Sequence, residues 1–499
     1  MRYIVNSREM KQYDANTTEH FGVPQEVLME RAATAFVQEI RKREIDTAKT
    51  LVVCGSGNNG GDGYAIARLL MFAGDAVDVV AALPKAKATE GNLLQQKIYK
   101  AYGGQIHTKI PERTEYTAVV DAIFGVGLSR GIEGEPAALL AQMNEMPGIK
   151  LAVDIPSGIS SDNGNVLGTA FKADLTVTFA YEKLGSLLWP GNTYAGEVIL
   201  SDVGINDRSF LERGPAVAAL EKSDLSCLAA RESHSNKGTF GKLLVIAGSQ
   251  GMAGAAYLCA KAAYISGCGL VRIFTPEENR EIVQTMLPEA VLTTYSTKKP
   301  DAALFAETVG WADAIVCGPG LGTTETAEWV VRHVLKCASV PVLFDADALN
   351  VIARDVSILL RPHTELVVTP HLGEMSRLSG DPVAYIQNHL IEVAKEFARQ
   401  YNVICVLKDE HTVTGVPYSQ TWLNLSGCAG LATAGSGDVL SGVIGGLMAQ
   451  GMAAETAATV GVYLHGLAGE AAAKENGLRS MIASDIHAGL RSVYRTLEQ

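Results

Sequence analysis

Short apolar runs recur along the chain, each ending in a cluster of Gly, Asp or Pro. In the first half they fall at 50–54, 76–83, 118–124, 151–155, 175–180 and 198–203. Segments with helical spacing lie between most of them, at 24–43, 64–73 and 91–102. An apolar run with no alternation reads as a strand buried on both faces, and a helix between two such runs reads as a crossover. The pattern predicts a parallel sheet covered by helices on both sides.

The second half repeats the plan. Runs at 243–247, 270–274, 314–317, 342–344, 366–369 and 404–407 predict strands; 253–266, 324–337, 383–400 and 439–449 predict helices. No sequence repeat relates the halves. Residues 206–237 between them are polar, charged and without a strong apolar period. The boundary is expected near 213–222, which gives an α/β protein of two doubly wound α/β domains, 1–213 and 220–499.

At 499 residues the chain is too long for one ordinary core. A hydrophobic share of 47% and a charged share of 19% suit a globular protein, and 50 glycines without a low-complexity tract point to many tight loops. The net charge of −12 argues against a nucleic-acid surface. The 8 cysteines show no CxxC spacing and read as reduced thiols. The N-terminus lacks a signal-peptide apolar core, and no uncharged apolar run reaches the ~18 residues of a membrane span. A cytoplasmic enzyme with no membrane association, and a homo-oligomer, is expected.

Candidate chemistry concentrates at strand ends. The segment CGSGNNGGDG at 54–63 follows a strand and contains GxGxxG at Gly55, Gly57 and Gly60. That pattern suggests a dinucleotide pyrophosphate at a helix N-terminus. Asn58, Asn59 and Asp62 argue against an ordinary dinucleotide fold, because a carboxylate beside a pyrophosphate repels it. Their oxygens better suit a hard cation or a ribose hydroxyl. DAIFGVGLSRG at 121–131 and VDIPSG at 153–158 end the next strands, so all three segments should meet at one crevice.

Taken together, NNGGDG, DAIFGVGLSR and VDIPSGISSDNG resemble the signature segments of the NAD(P)HX epimerase family, the YjeF N-terminal domain, over residues 1–213. The resemblance implies a Rossmann-like fold and potassium held by Asn59, Asp121 and Ser157. It implies contacts to the hydrated nicotinamide from Asn58, Asn59, Gly60, Gly61 and Asp62. Further contacts would come from Gly125, Val126, Gly127, Leu128, Ser129, Arg130 and Gly131, and from Asp154, the candidate for proton transfer. Lys183 resembles a family lysine near the site; by itself it would pass for a surface lysine.

In the second half, TAGSGDVLSG at 433–442 places glycines before a helix whose first turn carries Asp438. Backbone N–H groups there form an anion hole for a transferring phosphoryl group, and Asp438 is placed to take a proton from a substrate hydroxyl. This loop resembles the GAGD type of the ribokinase-like superfamily. With NKGTFGKLLVIAGS, GLVRI, CGPGLG, DADALN and VTPHLGEM it resembles the NAD(P)HX dehydratase family over 220–499. The whole chain then resembles bifunctional repair enzymes of the Nnr type. That implies ADP (ATP in many eukaryotes) with Mg2+ as co-substrate, and NADHX and NADPHX as substrates. Gly254, Gly320, His371 and Asp438 would line the hydrated cofactor. Lys408, Asp409, Glu410, His411, Thr412 and Gly437 would hold the nucleotide, although KDEHT departs from the usual glycine-rich version. Asp345 and Asp347 either touch magnesium through water or cap the next helix. The histidines lack metal-ligand spacing, so no zinc is assigned.

Three other readings compete. A ribokinase-class small-molecule kinase explains Asp438 but leaves NNGGDG and VDIPSG unused. A scaffold that has lost catalysis conflicts with intact Asp121, Asp154 and Ser157. A nicotinamide dehydrogenase rests on GxGxxG alone.

Overall fold

The structure, a computed structural model, describes residues 1–83, 86–112, 115–228, 230–360 and 364–498. The chain forms two compact units, Tyr3–Ala216 and Val217–Gln499, the latter joined by Met1 and Arg2. No helix among the described residues is long and apolar enough to cross a membrane.

The first unit holds a seven-stranded parallel sheet. Its order is Ile106–His107, Ala76–Ala81, Lys49–Cys54, Ala118–Ala122, Ile149–Val153, Leu175–Phe179 and Glu197–Ser201. The chain starts in the middle at Lys49–Cys54, runs outward to one edge, then returns to build the other. The order therefore reverses between Lys49–Cys54 and Ala118–Ala122, the kind of switch point beside which open α/β sheets place a ligand crevice. The apolar runs pack as predicted: Leu51 to Cys54 and Ala118 to Val120 are buried throughout. Outside the predicted elements, Ile4 and Val5 pair in parallel with Glu182 and Lys183.

One helix begins earlier than its apolar period suggests. Asn58–Phe72 starts six residues before the predicted 64, so NNGGDG forms the first turns of a helix. Glycine disfavours helix interiors, which hides this start from a pattern reading. Close packing selects the glycines instead. A Cβ on Gly60 would lie 2.1 Å from the Gly55 carbonyl oxygen, and one on Gly63 would lie 2.6 Å from the Ala122 Cβ.

In the second unit the strand order is Val291–Tyr295, Leu270–Pro276, Lys242–Ile246, Ala314–Cys317, Val342–Phe344, Leu366–Val368, Ile404–Leu407, Val413–Gly415, Thr421–Leu423 and Val217–Ala219. The strands from Val291–Tyr295 to Ile404–Leu407 are parallel; Val413–Gly415 is antiparallel to both neighbours. The order reverses between Lys242–Ile246 and Ala314–Cys317. Helix Ser436–Ala449 crosses this region in close contact with helix Ala253–Ile265. A Cβ on Gly442 would stand 2.1 Å from the Cys259 carbonyl oxygen, and one on Gly445 2.3 Å from Val316. The predicted helix 383–400 is two helices, Val383–Asn388 and Leu390–Tyr401, broken at His389 (φ −135°, ψ 40°).

Candidate active sites

In the first unit three strand ends converge. Gly55 donates its N–H to the Ala122 carbonyl at 2.9 Å, and a Cβ there would lie 1.9 Å from the Ile123 oxygen. Only glycine lets the two loops approach so closely. Asn92, on helix Glu90–Ala101, staples the first loop from behind. Its Nδ2 donates to the carbonyls of Gly55 (3.0 Å) and Gly57 (2.8 Å), and the residue is wholly buried. Nothing in the sequence pattern marks Asn92, because its role depends on a long-range contact.

Asp121, Ser157 and Asn59 form the floor. The Asp121 carboxylate is fully buried and accepts from Ser157 N (2.7 Å), Ser157 Oγ (2.7 Å) and Ile123 N (3.1 Å). Burial pushes its pKa up to about 6 against those hydrogen bonds, and no cation among the described residues pairs with it. The Asn59 side chain is buried, with neither Nδ2 nor Oδ1 finding a partner among the described residues. Its Cβ and Cγ lie against Gly125. A buried amide with neither end satisfied is costly, and it marks a place where a ligand atom belongs.

Asp154 follows strand Ile149–Val153 in the left-handed region at φ 71°. Its Oδ1 accepts from Thr178 Oγ1 (3.2 Å), Phe179 N (3.1 Å) and Lys183 Nζ. Lys183 is not a surface residue: it is 0% exposed. Two further carboxyls face this pair. Burial first, then the charges of Asp154 and Asp14, raise Asp62 well above the carboxylate range. Asp14 is pushed up to about 7, again chiefly by burial, with Lys183 opposing. Asp14 belongs to helix Ser7–Ala15, which runs into a π-helical turn, Asn16–His20. Such turns recur at functional sites and have no sequence signature; the sequence reading missed Asp14 for that reason.

The second unit gathers strand ends in the same way. Asp345, almost fully buried after strand Val342–Phe344, accepts from Lys408 Nζ at 2.9 Å through Oδ1 and from Ser441 Oγ at 2.8 Å through Oδ2. Asp347 accepts from Gly322 N (2.8 Å) and Asn350 Nδ2 (3.3 Å). Both acids are thus engaged by protein donors, yet neither side chain caps helix Asp347–Ile352 as the capping alternative expected. Lys408 follows strand Ile404–Leu407, and a Cβ on Gly437 would lie 3.4 Å from its Nζ.

Asp438 stands in the first turn of helix Ser436–Ala449, behind Gly435 at φ 89°. Its carboxyl accepts no hydrogen bond among the described residues. Burial raises it to about 7, Asp345 and Asp347 add to the shift, and Lys408 opposes it. His371 caps helix Leu372–Ser379, its Nδ1 accepting from Gly373 N (3.0 Å) and Glu374 N (3.3 Å). Two donors at Nδ1 require a neutral ring with its proton on Nε2, in keeping with a pKa lowered by burial, Lys408 and Arg377. Glu374, which the sequence reading quoted but gave no role, is buried and raised to about 7.

Gly254 opens helix Ala253–Ile265, and Gly320 (φ 58°) packs on Met252 and Ala255 at the switch point. Asp409, Glu410, His411 and Thr412 form the turn between strands Ile404–Leu407 and Val413–Gly415. The His411 Nδ1 there is buried and unpartnered.

Comparison with known proteins agrees with this layout. Residues 25–185 match the model for the YjeF-related protein N-terminus, and 243–491 match that for NAD(P)H-hydrate dehydratase. The bifunctional NAD(P)H-hydrate repair enzyme Nnr of Moorella thermoacetica is 37% identical over 522 residues, covering 100% of this chain and 97% of its own. A ribokinase-like superfamily protein from Enterococcus faecalis V583 is 27% identical at TM-score 0.51, covering 56% of this chain and 96% of its own. An ADP/ATP-dependent NAD(P)H-hydrate dehydratase from Bacillus subtilis, co-crystallised with ATP and Mg2+, is 33% identical at TM-score 0.48, covering 54% and 95%. The chain belongs to the family of bifunctional NAD(P)H-hydrate repair enzymes, which joins NAD(P)HX epimerase and dehydratase activities in one polypeptide.

Proposed function

We propose that residues 1–213 epimerise the R and S forms of NADHX and NADPHX at the crevice of Asn59, Asp62 and Asp154, and that residues 220–499 dehydrate the S form at Asp438. One observation carries the reading: each half brings a half-buried carboxylate, Asp154 or Asp438, together with glycine-lined backbone that a flat ring can approach. A cytoplasmic setting and a homo-oligomer belong to the same expectation.

Epimerisation at C6 of the hydrated ring needs one bond to C6 broken and remade. In the ring-opening route Asp154 takes the hydroxyl proton and a C6 carbonyl forms. The C6–N1 pair moves to N1, which takes a proton from a neighbouring acid. Rotation about the adjacent carbon–carbon bond and reversal of these steps give the other epimer. Asp14 and Asp62, both held toward the protonated form, suit the acid's part. A potassium ion fits beside them: Asn59 Oδ1 is an unused oxygen donor, and Asp121 is a buried carboxylate without a counter-charge. Asn59, Asp121 and Ser157 would hold it, and its charge would steady the two loops.

In the dehydratase, Asp438 takes the C6 hydroxyl proton as that oxygen attacks the terminal phosphorus of ADP, and AMP departs. The N1 electron pair then expels phosphate from C6. Loss of a proton from C5 restores the dihydropyridine. The N–H groups of the first turn of helix Ser436–Ala449 cradle the phosphoryl oxygens, with Lys408 beside them. Gly437 and the turn 408–412 hold the nucleotide with its magnesium; Gly254, Gly320 and His371 line the ring.

The test is a split of activities. Asp438→Asn abolishes recovery of dihydronicotinamide absorbance from S-NADHX with ADP and magnesium, yet spares interconversion of the epimers. Asp154→Asn does the converse. Loss of both activities in each folded variant would sink the two-site assignment.

A further inference from the structure

We infer that Lys183 is a positioning residue for epimerisation: it acts through Asp154, clamping one carboxylate oxygen so that the other is presented to the hydrated ring. The inference rests on the assignment of epimerisation to this crevice and adds a residue whose role is separable from binding.

The argument begins with donor arithmetic. An ammonium has three N–H bonds and no lone pair. Lys183 spends all three on protein acceptors: Asp154 Oδ1, Thr178 Oγ1 at 3.0 Å and the Phe179 carbonyl at 2.8 Å. The side chain is wholly enclosed and its backbone is fixed by pairing with Val5. It has no N–H left for a substrate and no path to reach one.

Asp154 shows the complementary asymmetry. Its Oδ1 collects three donors, from Thr178 Oγ1, Phe179 N and Lys183 Nζ, whereas its Oδ2 has none among the described residues. The side chain retains 15% exposure. The backbone is pinned too, with Asp154 N donating to the Val177 carbonyl at 2.8 Å in a left-handed conformation. One oxygen is anchored and the other is offered, which is the geometry a proton acceptor needs.

The lysine also sets the charge balance. Asp154 acts as a like charge on Asp62 from helix Asn58–Phe72 and on Asp14 from helix Ser7–Ala15, Asp14 acts on Asp62 as well, and Lys183 is the cation that both of them feel. Without it, three carboxyls would share one crevice with no nearby cation to offset their repulsion.

The experiment uses the full chain: dehydration of S-NADHX checks the second unit of the same molecules, and a thermal melt of each variant checks the fold of the first. Epimer interconversion is followed by chromatography, giving kcat and KM for Lys183→Met, Asp154→Asn and the double variant. Lys183→Met is expected to lower kcat about 100-fold with KM within about threefold. The double variant is expected to be no slower than Asp154→Asn alone, because the lysine works only through that carboxylate. Thr178→Val, a milder change to the same cluster, should lower kcat about five- to tenfold at unchanged KM.

A KM rise with kcat intact in Lys183→Met would overturn the inference. So would a double variant more than tenfold below Asp154→Asn, or wild-type kcat in Thr178→Val. If Asp154→Asn itself epimerises normally, the assignment of the crevice fails instead, a separate outcome.

Discussion

The proton balance at Asp438 sets a pH profile for the dehydratase that can be worked out in advance. The Asp438 carboxyl ordinarily titrates near 4 and is pushed up to about 7, first by burial and then by Asp345 and Asp347, with Lys408 pulling the other way. A general base works only when ionised. Below pH 7 the active fraction falls about tenfold per unit, so kcat/KM for S-NADHX at pH 5.5 should be about 30-fold below its plateau. kcat/KM reports the free enzyme, the state to which this value applies. Two variants then displace the midpoint in opposite directions. Lys408→Met removes the nearby cation, which stabilises the acid form and shifts the midpoint up. Asp345→Asn removes a like charge and frees Lys408, so the midpoint drops. Glu374 is raised to about the same value, so Glu374→Gln is the control: the limb stays in place if Asp438 carries it. The assay is initial recovery of dihydronicotinamide absorbance with S-NADHX and ADP–magnesium both well below saturation, from pH 5.5 to 8.5. A flat profile, or two midpoint shifts of the same sign, would refute the account.

Further outcomes follow from the same contacts. Asn92→Ala strands the buried Gly55 carbonyl and takes one of two donors from the Gly57 carbonyl, costing about 1–3 kcal/mol locally; epimerase activity should fall at least tenfold while dehydratase turnover holds, and equal loss of both would count against the staple. Gly60→Ala puts a Cβ 2.1 Å from the Gly55 oxygen and should abolish epimerisation, read by the same pair of assays. Replacing potassium with tetramethylammonium should slow wild-type epimerisation and leave Asn59→Ala no slower than it already is. Asp438→Asn should stabilise the protein at pH 8. A raised carboxyl pKa favours the fold below about pH 4 and loses that advantage as pH rises through 7. The ionised wild-type group therefore carries a penalty at pH 8, about 1–3 kcal/mol allowing for partial solvent access, visible in thermal melts at pH 8 and absent at pH 4.

The sheet cores were legible because strands buried on both faces read as unbroken apolar runs: Leu51 to Cys54, Leu243 to Ile246 and Ile404 to Leu407 all lie where the pattern puts them. Short strands were not. Glu182–Lys183 is polar and Val413–Gly415 is brief, so each owes its conformation to its partners. The long helix Ala454–Asn476 escaped because its Ala and Gly residues carry little amphipathic contrast. Within the sites, motif residues were visible by type and spacing. Asn92, Asp14 and Ser441 were not, since each acts across a gap in sequence that no local pattern spans. Lys183 had the opposite fault: a lysine reads as solvent-exposed until its three acceptors are in view.

The two sites solve the proton problem in different ways with the same pair of residue types. In the first unit a buried lysine holds the proposed base Asp154 itself, saturating one of its oxygens. In the second, Lys408 is bound to Asp345, a neighbour, and the proposed base Asp438 has no hydrogen-bond donor among the described residues. The chemistry accounts for the contrast. Epimerisation must run equally well in both directions, so its base has to give the proton back without being moved; a clamped carboxylate facing protonated acids does that. Dehydration runs one way, driven by departure of phosphate. Its base need only be strong enough to draw a proton from an alcohol as the phosphorus–oxygen bond forms, and a half-buried carboxylate without a hydrogen-bond donor is the stronger base. Exchanging the arrangements should therefore harm each reaction differently. Asp345→Asn leaves the Lys408 ammonium without its charged partner and turns its field on Asp438, which should weaken the base and slow phosphoryl transfer above the pH midpoint; faster transfer in that variant would contradict the contrast drawn between the two sites.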